Sequence, residues 1–238
     1  MTPLRSLGNP DKVSYDDVFC ATGDNYNFNH TPSGGNYSVD FDGTNDYLVT
    51  NSSSDYTLGT GDFTFEHWVR PDDVSTTQQI IDGRMQGNSW DTDWCTYINS
   101  DGTYRFFANG DKITDSSALS ANTWYHFAVC RSSGTTKMFK NGTQVGSNYS
   151  DSNNYTSTTI TLAIHGPDRA SYDFDGEIST LRVVIGTALY TSNFTTPTSP
   201  LESVTNTKLL CANESTVDAA TVGTVTAGGD PQSTTGPF

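Results

Sequence analysis

Six Asx-Gly dipeptides punctuate this chain: Asp42-Gly43, Asp82-Gly83, Asp101-Gly102, Asn109-Gly110, Asn141-Gly142 and Asp175-Gly176. Each pair accepts positive φ and suits a tight hairpin. Between them stand short runs in which apolar and polar residues alternate, the period of a pleated strand with one buried face. The runs are Val39-Asp40-Phe41, Tyr47-Leu48-Val49, Phe63 to Val69, Gln79-Ile80-Ile81, Thr96-Tyr97-Ile98, Tyr104 to Phe107 and Trp124 to Cys130. Further on come Lys137-Met138-Phe139, Thr159 to Ile164 with Ile160, Leu162 and Ile164 on one face, and Ile178 to Ile185. This last run changes phase between Ile178 and Leu181, which predicts a β-bulge there. Strands at about ten-residue spacing point to an all-β, two-sheet antiparallel sandwich of jelly-roll type.

Composition agrees. Of 27 acidic residues only four are Glu (Glu66, Glu177, Glu202, Glu214), the rest being Asp, which favours turns over helices. A single helical turn is expected over 187–195, before Pro197 and Pro200 forbid continuation. Residues 1–36 carry scattered Pro and Gly with no period and are expected to form an extended N-terminal arm that makes assembly contacts. The jelly roll is expected over 37–195, followed by a Thr/Gly/Ser-rich C-terminal extension, 196–238. A chain of 238 residues can bury a core without metals or disulfides.

The formal charge of −15 repels phosphate backbones and anionic lipid, so neither nucleic acid binding nor membrane insertion is expected. No run approaches the ~18 apolar residues of a transmembrane helix, and the N-terminal residues carry no signal-like apolar run. Synthesis and assembly in a cytosol are therefore expected. Cys20, Cys95, Cys130 and Cys211 lie far apart with no CxxC, which favours buried free thiols.

Five blocks carry a family resemblance. They are Phe41-Asp42-Gly43-Thr44-Asn45-Asp46-Tyr47, Gly61 to Pro71 (GDFTFEHWVRP), Trp124 to Val129 (WYHFAV), Met138 to Gly142 (MFKNG) and Phe174 to Ser179 (FDGEIS). In this order they resemble the laminin-G-like, concanavalin A-like jelly roll. The segment Gly186 to Pro197, with Lys208-Leu209-Leu210-Cys211 and Pro237-Phe238, resembles the extension on such domains in structural proteins of marine bacteriophages. That resemblance implies a capsid decoration or tail-fibre component at the virion surface, with other virion proteins and copies of itself as partners.

Catalysis is not expected. Glycanases of this architecture set paired carboxylates on one strand, but the face of Glu66 continues through Thr64, Trp68 and Arg70. No Gly-x-Ser-x-Gly is present, and the four histidines are scattered, with His67 and His126 placed as packing residues within strands. A ligand site is expected in the loop after Ile81, where Asp82, Arg84, Trp90, Asp91, Asp93 and Trp94 combine indoles with hydrogen-bonding side chains. Such a loop suits a glycan or a partner protein, although an indole there can equally plug the end of the sandwich. The resemblance also implies a rim calcium site, for which Asp42, Asp46 and Asp175 are the candidates, against the plainer reading of Asp-Gly as a turn. The alternative to a virion role is a free carbohydrate-binding lectin with specificity in the loops after Ile81 and Ile164; a glycoside hydrolase comes third.

Overall fold

A computed structural model describes residues 35–84 and 93–238. The N-terminal arm expected over 1–36 lies outside the described residues except for its last two. The described residues hold sixteen strands. They are β1 (Tyr37–Asp42), β2 (Tyr47–Thr50), β3 (Phe63–Pro71), β4 (Gln78–Asp82), β5 (Cys95–Ile98), β6 (Tyr104–Phe107), β7 (Asp111–Thr114) and β8 (Tyr125–Ser132). The second half holds β9 (Thr135–Lys140), β10 (Thr143–Ser150), β11 (Thr161–Leu162), β12 (Asp175–Ile185), β13 (Thr207–Cys211), β14 (Ala220–Val222), β15 (Val225–Gly228) and β16 (Gln232–Thr235).

Every pairing is antiparallel, and the strands form two sheets. One has nine strands, in the order β10-β9-β8-β3-β12-β1-β16, with β13 also on β12 and β14 on β13. The other has seven, in the order β15-β2-β11-β4-β5-β6-β7. The fold is thus the two-sheet all-β sandwich that the alternation requires. The C-terminal residues 196–238 are not an appendage to it, because β13 and β16 join the first sheet and β15 joins the second.

Alternation decides which side chains meet between the sheets. Phe63, Phe65, His67 and Val69 point inward from β3, and Tyr104, Phe106 and Ile113 answer from the facing sheet, all at 0–1% exposure. The rings of Tyr104 and Phe127 stack at 3.7 Å, and Trp94 stacks on Phe65 at 4.5 Å. Each such side chain contributes about 1.5–3 kcal/mol relative to remaining in water. The Tyr104 hydroxyl bonds Thr96 Oγ1 (2.8 Å) and lies 3.1 Å from His67 Nε2, so these polar atoms are matched within the core. Burial pushes the His67 pKa down to about 3, which leaves the ring neutral.

Hairpin chemistry follows the dipeptides at Asn109-Gly110 and Asn141-Gly142, where both residues take positive φ. Asp175-Gly176 is different. It is no turn but the start of β12, and Gly176 is required because a Cβ there would meet Arg70 O at 2.3 Å. The bulge in β12 is present: register with β3 shifts between Ser179 and Arg182, and Thr180, at φ 49°, donates its N–H to Ala212 O.

No helical turn forms over 187–195; among the described residues the one helical turn is Ser54–Tyr56. Tertiary bonds take the groups such a turn would have used. Thr64 Oγ1 accepts the N–H of Leu189 (2.8 Å) and donates to Thr187 O, while Phe194 donates its N–H to Gly142 O. The segment is laid as a strap over the outer face of the nine-stranded sheet, with Ala188, Tyr190 and Phe194 packed on Ala128, Cys130 and Phe139.

Candidate functional site

The outer face of the seven-stranded sheet carries an open cavity of about 360 Å³. Its floor follows from strand alternation. Thr96 and Ile98 of β5 and Phe106 of β6 are committed to the interior, so Cys95, Tyr97 and Phe107 point outward. The register sets them side by side with β4: Tyr97 is opposite Gln79, and Cys95 is opposite Phe107. Two loops make the walls. Arg84 comes from the loop after β4, and His165 and Tyr172 come from the loop after β11. Thr77 and Asn99 complete the polar rim.

The floor is held rigidly. Gln79 Nε2 donates to Ile81 O (3.1 Å) and Thr96 O (2.8 Å), and Gln79 Oε1 accepts from Arg84 Nη2 (3.0 Å). Asp82 is wholly buried beneath the site. Its Oδ1 accepts from the Arg84 N–H and from Nε, both at 2.8 Å, and its Oδ2 accepts from Arg84 Nη2 (2.5 Å) and from the Gly166 N–H (2.9 Å). One carboxylate therefore ties both wall loops together, as a positioning residue and not as a ligand contact. The bonds from Asp82 hold the Arg84 guanidinium firmly protonated in spite of burial. Burial, reinforced by the Asp82 charge, pushes the Cys95 thiol up to about 12, so it is an inert lining group.

The aromatic rings are the accessible part. Tyr97 and Phe107 are half-buried and Tyr172 is 38% exposed. Tyr97 donates its hydroxyl to Asp111 Oδ1 (2.6 Å), which fixes the tilt of the ring. Tyr172 packs edge-on against His165 at 5.6 Å, and His165 Nδ1 lies 3.0 Å from Asp168 Oδ1. Amphipathic rings beside hydrogen-bonding groups such as Thr77 and Asn99 suit a ligand with apolar C–H faces and hydroxyl edges.

The loop residues expected to bind divide. Arg84 lines the cavity, and Asp82 supports it from below. Trp94 is 1% exposed against Phe65, which is the plug and not a platform; Gly83 is the residue that admits it, since a Cβ there would lie 2.4 Å from the indole. Asp93 Oδ1 accepts the N–H groups of Thr156 (2.7 Å) and Ser157 (3.2 Å), so it anchors a neighbouring loop. Trp90 and Asp91 lie outside the described residues. The expectation that specificity lies after Ile81 and Ile164 finds both loops at one cavity. Tyr97, Phe107 and Tyr172 lie outside the expected site, although aromatics at the outward positions of β5 and β6, where an exposed sheet face would carry polar residues, are the signal in the sequence that points to them.

The carboxylates suggested for a cation are also rearranged. Oxygens of Asp42, Asp46 and Asp230 lie within 4.8 Å of one another, and Asp175, which sits across the ladder from Asp42, is not in the group. Asp46 already uses both oxygens: Oδ1 accepts the Asp230 N–H (2.7 Å) and Oδ2 the Asp42 N–H (3.2 Å). Asp42 Oδ1 accepts the Thr44 N–H in an Asx turn. The geometry is that of a staple holding the approach to β16 against the β1–β2 turn. Burial raises the Asp46 pKa, and the two backbone bonds oppose that rise.

Glu66, on the outer face of the nine-stranded sheet, is sealed under the strap at 0% exposure, while Glu177 on the same face pairs with Arg70. Glu66 Oε1 accepts from Arg182 Nε (3.0 Å) and Nη2 (2.6 Å); its Oε2 accepts from the Tyr190 hydroxyl (3.0 Å) and lies 3.1 Å from His126 Nε2. Burial alone would raise this carboxyl, but the His126 bond and the Arg182 charge outweigh it and hold it below the ordinary 4.5. His126 is thus more than packing. Cys95, Cys130 and Cys211 are free and buried, while Cys20 lies outside the described residues.

Two facing antiparallel sheets, with an aromatic cavity on the outer side of one, define a jelly roll of the lectin and glucanase class. The chain belongs to the concanavalin A-like lectin/glucanases superfamily, whose family model matches residues 9–189. Among solved structures it is similar to a Bacteroides ovatus protein described as a candidate carbohydrate binder, with 14% identity, a TM-score of 0.63 and 87% of this chain covered. The chain spans 62% of that structure's length. It is also similar to a heptameric SAP-like pentraxin from Limulus polyphemus, with 19% identity and a TM-score of 0.50, over 65% of this chain and 78% of the pentraxin. At these identities the likeness is one of fold. No curated protein matches in sequence.

Proposed function

We propose that this chain is a non-catalytic carbohydrate-binding module whose sugar-contacting face is the cavity on the seven-stranded sheet. The observation that carries the reading is the grouping of Tyr97, Phe107 and Tyr172 around one open cavity of about 360 Å³, on a floor whose polar atoms are already fixed. A sugar ring stacks on such faces and directs its hydroxyls to Thr77, Asn99 and the tyrosine hydroxyls. The lectin-type fold supports the same reading. Absence of catalysis is supported by Glu66, whose oxygens are saturated and shut off from any substrate by the strap.

A place on a bacteriophage virion, as capsid decoration or tail fibre, is the finer form of this proposal. It rests on the resemblance of Gly186 to Pro197 to phage structural proteins. The tail β13–β16 pairs within its own chain, and the arm over 1–36 is proposed to make the contacts with other virion proteins. A glycan array probed with the purified full chain and with Tyr97→Ala tests the central reading. Defined glycans should retain the chain and lose the variant; an array on which the two behave alike contradicts it.

A further inference from the structure

We propose that the cavity selects neutral, hydroxyl-rich sugars over their sialylated, uronic or sulfated counterparts. The proposal rests on the carbohydrate-binding reading and names the ligand class within it. Among the described lining residues Arg84 is the one arginine or lysine, and it is matched on the spot: Nε and Nη2 bond the two oxygens of Asp82 at 2.8 and 2.5 Å. Nη2 also bonds Gln79. The pair carries no net charge and is braced against rearrangement by the Gly166 N–H on Asp82. An anionic sugar would have to compete with a buried carboxylate for this guanidinium, which leaves the Asp82 charge uncompensated if the anion wins.

The ionic groups around the site leave a small excess of carboxylates, Asp101, Asp111 and Asp168 against Arg105 and Arg169, whose guanidinium lies over the Tyr47 ring. Behind Tyr97, Arg105 is shared between Asp111 and Asp101, at 2.6 Å each, so two carboxylates answer one cation. On the opposite wall Asp168, with its side chain 42% exposed, stands beside His165 and accepts the Ser171 hydroxyl. The chain as a whole carries −15. A carboxylate or sulfate on the ligand meets this field as it enters, whereas a neutral ring does not.

The test titrates the full chain with matched pairs: N-acetyllactosamine against its sialylated form, and a neutral galactan oligosaccharide against its sulfated form, each at low and high salt. The neutral member should bind about tenfold or more tightly at low salt, and the ratio should shrink as the Debye length falls from about 30 Å at 0.01 M to about 3 Å at 1 M. A charged member that binds as well as its neutral partner, or a ratio indifferent to salt, overturns the proposal while leaving carbohydrate binding intact. If no member of either pair binds, the carbohydrate-binding reading is itself refuted for these sugars, and the charge preference falls with it.

Discussion

The two outer faces of this sandwich are built from the same alternating strands and end in opposite states. On the nine-stranded sheet the outward residues Thr64, Glu66 and His126 are capped by the strap and sealed at 0% exposure. On the seven-stranded sheet the outward residues Tyr97 and Phe107 are left half-open between two loops. The difference lies in what covers the sheet. A face closed by its own chain can hold a charge network that serves stability, while on the other face the described residues leave Tyr97 and Phe107 bordering a cavity. Glu66 and Arg84 show the contrast most sharply, since both are ion-paired and buried but only the second borders open space.

The largest expected effect is on the closed face. Glu66→Ala leaves the Arg182 guanidinium buried without its partner and should cost about 3–5 kcal/mol in chemical denaturation. A loss below about 1 kcal/mol, the range of an exposed pair, would mean that the strap does not seal this face. Asp46→Ala, which releases two backbone N–H groups at the approach to β16, should cost about 1–3 kcal/mol, and chelator should leave the melting temperature of the native chain unchanged. A chelator-sensitive melting curve would instead favour a cation held by Asp42, Asp46 and Asp230. On the open face Tyr97→Ala should weaken glycan binding at least tenfold, about 1.4 kcal/mol, with smaller change in folding stability than either carboxylate variant. Equal damage to folding and binding would make Tyr97 a structural residue and erase the distinction between the faces.

Acid should also separate the two faces. The folded-state pKa of Glu66 is lowered, so its contribution to stability is fully present above the ordinary carboxylate value of 4.5 and is lost as pH falls through the folded value. Native chain and Glu66→Gln should therefore converge in stability as pH falls from 4.5 through the lowered folded value. Curves that stay parallel would show that the carboxylate is not what fastens the strap.

The sandwich, its hairpins at Asn109-Gly110 and Asn141-Gly142 and the bulge in β12 were legible because each is a local rule of alternation or turn chemistry. The misplaced helical turn at 187–195 and the turn assigned to Asp175-Gly176 failed for a shared reason. In both, a partner far along the chain, Thr64 in one case and Arg70 in the other, overrides the local preference. The site was legible only as a pair of loops. That Trp94 is buried depends on Gly83 and Phe65, and the grouping of Tyr97, Phe107 and Tyr172 depends on the register of β4, β5 and β6, neither of which spacing specifies.

An amide NMR map of the full chain, titrated with a neutral oligosaccharide that it retains, tests the central claim most directly. Shifts should gather at Gln79, Tyr97, Phe107 and Tyr172 on the open sheet. Shifts gathered instead around Tyr190 and Phe194 on the strapped face, or around the Asp42–Asp46 turn, would contradict it.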